Sequence, residues 1–119
     1  MENTPREYTR EEVRERFLGQ IRMFVTDQVT RAYPQQEPEK RRELRERLEG
    51  LAHSILCILD GRTNLPAFVV APAPHPGDQA DHQAHSENWY PAAPEVACDI
   101  AWEANLHELF YAPRDGALR

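Results

Sequence analysis

The stretch PEKRRELRERLEGLAHSILCILDG, residues 38–61, decides how this chain is read. Leu44, Leu48, Leu51, Ile55 and Ile58 recur at spacings of four and three, a heptad-like apolar seam. Ala52, Leu56 and Leu59 add a second apolar side near the C-terminal end. The helix therefore starts amphipathic and finishes apolar nearly all round, which predicts burial of its last two turns. Pro38 suits the first helical position, and Glu37 and Glu39 sit at the positive end of the dipole. Gly61, after Asp60, is the expected stop. Within the stretch, Lys40-Arg41-Arg42-Glu43-Leu44-Arg45-Glu46-Arg47 interleaves acids with bases, so it reads as a solvated face rather than an anion patch.

Upstream, Thr9-Arg10-Glu11-Glu12 fits a capping box. Val13, Phe17, Ile21, Phe24, Val25, Val29 and Ala32 follow at helical spacing, predicting one helix over 10–32 that Pro34 ends. Five residues separate the two helices, so they are expected to pair as an antiparallel hairpin over 10–59, preceded by a flexible leader at 1–8.

Downstream the composition changes. Leu65-Pro66-Ala67-Phe68-Val69-Val70-Ala71 is β-rich with proline at its entrance, and Glu95-Val96-Ala97-Cys98-Asp99-Ile100 is a second such run. Leu106-His107-Glu108-Leu109-Phe110-Tyr111 suits a strand or a helical turn; its aromatics and length tip it to strand. The expected fold class is α+β: a two-helix antiparallel hairpin packed on a small antiparallel sheet over 65–111, with a long Pro/His-rich loop at 72–94 and a flexible tail at 112–119. One domain fits the 119 residues.

Charge narrows the function classes. Residues 1–50 hold eleven acids and eleven bases, whereas 51–119 hold nine acids and three bases, which carries the whole net charge of -6. Such a chain lacks the cationic face that DNA, RNA or anionic membranes require. No apolar run is long enough for a bilayer span, and the N-terminus has no secretory pattern. Cys57 and Cys98, both in apolar runs, read as free thiols of a reduced, cytoplasmic protein.

The 72–94 segment is far longer than a hairpin needs and carries three histidines and the pair Trp89-Tyr90, so it reads as an ordered wrap. His75, Asp78, His82 and His85 are spaced so that they could meet on one ion, although no specific metal motif is present. His107-Glu108 offers a base and an orienter, but on a strand adjacent residues face opposite ways. His53 reads as a boundary residue of the second helix. A small-molecule pocket has parts in Arg62, Asn64, Phe68, Asn88, Trp89 and Tyr90: aromatic faces to stack a base, a guanidinium and amides for phosphate. The same aromatics would also serve to fill a small core.

Glu49-Gly50-Leu51-Ala52-His53-Ser54-Ile55-Leu56, Leu59-Asp60-Gly61, Leu65-Pro66-Ala67-Phe68, Pro74-His75-Pro76-Gly77-Asp78, Glu87-Asn88-Trp89-Tyr90-Pro91 and Leu106-His107-Glu108-Leu109-Phe110-Tyr111 together resemble small hypothetical proteins of phages and bacteria. In size and acidity the chain is also similar to phage anti-Thoeris and anti-CBASS sponges, which sequester nucleotide immune signals. That similarity implies a non-enzymatic binder of a small anionic ligand, of the cyclic-nucleotide or ADP-ribose kind, with no cofactor; it carries over no binding residues. A homodimer or higher oligomer is expected, since a short chain buries little surface alone. The alternatives are an acidic inhibitor docking on a basic protein surface and a metal-dependent hydrolase built on the histidine loop.

Overall fold

In a computed structural model the described residues are 4–35, 37–92, 98–101 and 104–111, and they hold four helices. These are α1 (Arg10–Ala32), α2 (Pro38–Leu59), α3 (Asp78–Ala84) and α4 (Leu106–Tyr111). Both long helices begin and end where their local signals put them. The Thr9 hydroxyl accepts from the Glu12 N–H while the Glu12 carboxylate accepts from the Thr9 N–H, completing the capping box. Pro38 opens α2. Beyond it Gly61 turns the chain at φ +77°, where a Cβ would lie 2.9 Å from that of Ala67.

The helices run antiparallel: Arg45 Nη1 donates to Thr26 Oγ1, and Arg41 Nη1 to the Tyr33 carbonyl beside the turn that joins them. Leu18 of α1 packs with Ala52 and Leu56 of α2, and α4 lays Leu106 and Phe110 over that seam. The outer seam of α2 is placed otherwise. Leu51 stays 59% exposed and Ile55 49%, so it is the second apolar side, Ala52 and Leu56, that reaches the core.

The expected α+β fold is corrected: among the described residues there is no strand and no sheet, only an isolated bridge between Glu7 and Trp89. Residues 65–71 form no regular element, and their donors are spent singly: Phe68 N–H on the Leu59 carbonyl, Val70 N–H on Asp99 Oδ1. Of the second expected strand, 95–97 lie outside the described residues, and Cys98–Ile100 turn too tightly to be extended. The third is helical. Six residues are too few to hold a helix alone, and the hairpin supplies what α4 lacks at both ends. Asp60 Oδ2 accepts the His107 N–H at 2.9 Å near its start. At its end Arg22 of α1 donates to the carbonyls of Leu109 and Phe110, at 3.0 and 3.1 Å.

The 72–92 part of the long loop carries α3 and then returns to the hairpin. Residues 6–8, expected as leader, lie alongside it: Tyr8 N–H donates to the Trp89 carbonyl, and Arg6 N–H to Asn88 Oδ1. Tyr8 and Tyr90 pack ring on ring under Arg16, whose Nε donates to the Tyr90 hydroxyl at 2.7 Å. Arg6 also pairs with Glu12 at 2.6 Å; that hydrogen bond, helped by the Thr9 N–H, pulls the Glu12 carboxyl down to about 2. No helix among the described residues is long and apolar enough to cross a membrane.

Candidate metal centre

Where α2 ends, two of its side chains and that of its C-cap residue face α4. His53 and Cys57 stand one helical turn apart, and Asp60 follows three residues later on the same flank. From α4 comes His107, whose side chain is only 12% exposed, against an Asp60 side chain that is fully buried. The Asp60 carboxylate takes two hydrogen bonds from this one residue on a single oxygen, Oδ2: the His107 backbone N–H at 2.9 Å and the ring Nδ1–H at 2.6 Å. The imidazole is thereby fixed in orientation and tautomer, and Nε2 is left as its acceptor nitrogen. Asp60 Oδ1 is buried with no hydrogen-bond partner among the described residues.

Opposite His107, the His53 ring meets it edge-on with centroids 5.3 Å apart and lies against Tyr111 at the same separation. Cys57 Sγ is 3.9 Å from His53 Nδ1. One ring nitrogen of each histidine and the Cys57 sulfur all fall within 4.8 Å of one another. Neither cysteine is in a disulfide; Cys98 is buried, while Cys57 is partly accessible in this cluster.

The residues singled out from sequence are distributed differently. Arg62 reaches Asn105, Nη2 to Oδ1 at 3.3 Å; Asn64 and Phe68 are exposed on the irregular stretch after α2. Asn88, Trp89 and Tyr90 instead hold the N-terminal segment. Tyr90 lines an apolar cavity of about 340 Å³ with Val13, Phe17, Val70 and Ile100, and none of the other five lines it. In the histidine loop each side chain serves its own segment. Asp78 Oδ2 accepts from the His75 N–H, His82 Nδ1 meets Glu87 at 3.0 Å, and His85 Nδ1 meets the Asp81 carbonyl at 2.8 Å. Among the described residues, His53, Cys57 and His107 are the group of three metal-ligating side chains near enough to share an ion, and the loop histidines form no such group.

Sequence reasoning passed over this cluster because it weighed His53, Cys57 and His107 one at a time. The signal that was present is the His-x-x-x-Cys spacing on a helix, followed by an Asp three residues on. What the sequence lacked was any means of bringing His107 across from 47 residues beyond Asp60.

Comparison with protein-family models, with curated proteins and with solved structures gives no significant match to this chain. The fold and the site together describe a helical hairpin braced by a short helix, with an imidazole–thiol cluster at the joint.

Proposed function

We propose that this protein binds a divalent transition-metal ion of the zinc type through His53, Cys57 and His107, with Asp60 as the carboxylate behind His107. The observation that carries the reading is the approach of three donor atoms, from two helices, to within 4.8 Å. Bonds of about 2.0–2.3 Å at tetrahedral angles set two nitrogens, or a nitrogen and a sulfur, roughly 3.3–3.6 Å apart, so the cluster needs to close by about 1.5 Å at most. Two imidazoles and a thiol favour zinc, copper or cobalt over magnesium or calcium, which take oxygen donors. The carboxylate–imidazole pair is the arrangement that raises a metal-bound histidine's basicity and holds its ring.

This reading keeps a binding role and exchanges the anionic ligand of the sequence expectation for a cation. It also moves the metal from the histidine loop to the joint between α2 and α4. Calorimetric titration of chelator-treated protein with zinc is expected to give one site per chain, released by acid as the ligands protonate. Cys57→Ala should remove the site, whereas His82→Ala should leave it intact. Equal zinc binding by wild type and Cys57→Ala would sink the proposal.

A further inference from the structure

The three donors leave one tetrahedral position to fill, and the structure offers a carboxylate beside it. We infer that Glu108 supplies the fourth ligand, which makes the centre a closed Cys-His-His-Glu site that fastens α4 to α2. The inference rests on the metal reading above and adds a residue and a role to it.

Three observations meet here. Nδ1 of His107 is occupied by Asp60, so the ion approaches from the Nε2 side; Glu108 Oε2 lies 3.9 Å from that same Nε2. Two ligands on one tetrahedral ion sit roughly 3.3–3.5 Å apart when both are N or O donors, so Oε2 is within about half an ångström of ligand spacing from Nε2; it stands outside the three-donor group and would join it by turning its own side chain toward His53 and Cys57. Next, the carboxylate is free to complete the approach. Its side chain is 66% exposed, and its other oxygen accepts only a long hydrogen bond, 3.4 Å from Asn105 Nδ2. Turning it uncovers little buried surface. Last, the charges balance: a thiolate and a carboxylate neutralise a divalent cation, which lowers the cost of holding the ion in a partly buried joint.

His107 and Glu108 were set apart in the sequence reading because neighbours on a strand face opposite ways. On a helical turn they lie about 100° apart, and the long side chain of Glu108 bridges that angle. The ion's consequence follows from where the ligands sit. Two belong to α2 and two to a helix of only six residues, so filling the site adds a fastening to an element that has little stability of its own.

The experiment compares wild type, Glu108→Gln and Cys57→Ala in zinc competition titrations and as cobalt(II) forms, with helix content followed by circular dichroism. Glu108→Gln is expected to keep one ion per chain while binding zinc more weakly, by more than about tenfold, the lower end of what even an outer-shell partner contributes. Its cobalt form should bind added azide, seen as a change in the visible spectrum, because water now holds the fourth position. Wild-type cobalt protein should leave azide unbound. Unchanged zinc affinity in Glu108→Gln, or azide binding by the wild-type cobalt form, overturns the role of Glu108; the second readout needs no variant to fold. If wild type binds no zinc, or Cys57→Ala binds it equally well, the metal reading itself falls, a result distinct from either.

Discussion

The two flanks of α2 run side by side along one helix and meet opposite fates. His53, Cys57 and Asp60 lie against α4, and the Asp60 side chain is fully buried. Leu51 and Ile55, two residues earlier and so about 200° round the helix, remain exposed. Polar groups are covered and aliphatic ones are not. Burial here follows the element that arrives to cover a flank: α4 packs Leu106 and Phe110 on Leu18, Ala52 and Leu56, covers the neighbouring polar groups as it does so, and has its ends satisfied there by Asp60 and by Arg22. Leaving Leu51 and Ile55 in water forgoes stabilisation, but it breaks no hydrogen bond; moving α4 away would strand several.

The sharpest way to test this contrast is to shorten one leucine on each side of it. Leu56→Ala, at a fully buried position between α1 and α4, is expected to lower stability by about 2–5 kcal/mol. Leu51→Ala should change it by less than about 0.5 kcal/mol. Urea unfolding checks both. A wild-type midpoint that rises with protein concentration, and loses that dependence in Leu51→Ala, would mean that a second copy of the chain covers the open flank, as the oligomer expectation holds.

Next in size is the polar flank itself. Asp60→Ala strips α4 of the acceptor for one backbone and one ring N–H, and a loss of about 1–3 kcal/mol is expected. Thermal unfolding in the presence of chelator measures it without any contribution from metal. A loss below about 0.5 kcal/mol would show that desolvating the carboxylate cancels what its two hydrogen bonds return.

The smallest effect lies at the start of α1. The folded Glu12 carboxyl is held at about 2, below its usual value of 4.5, chiefly by Arg6 and then by the Thr9 N–H. A lowered acid contributes stability above its unfolded value and loses it as pH falls towards the folded one. The capping box and residues 6–8 should therefore loosen between pH 4.5 and about 2. Amide shifts of Thr9 and Tyr8 report the change by NMR, and Glu12→Gln should abolish that step.

The parts of the molecule that were legible in sequence are those whose partners are near in the chain. Thr9 and Glu12 cap each other across three residues, Pro38 opens a helix by its own ring, and Gly61 closes one by its own φ. Residues 106–111 were misread because Leu106 and Phe110 satisfy either periodicity, and the deciding partners, Asp60 and Arg22, lie 47 and 88 residues away. The cluster was illegible for the same reason. Half of it is a local His-x-x-x-Cys pattern, and the other half comes with α4. The residues gathered as a pocket from Arg62 to Tyr90 are divided among distant partners in the same way: Asn88 and Tyr90 meet Arg6 and Tyr8, 82 residues earlier, while Arg62 meets Asn105.

Arg22 and Asp60 hold the two ends of α4 from different helices. Unwinding either end of that short helix therefore disturbs a contact to α1 or to α2, and separating α1 from α2 pulls on both. The short helix works as a tie beam across a two-legged frame. Release of α4 therefore costs contacts to both long helices at once.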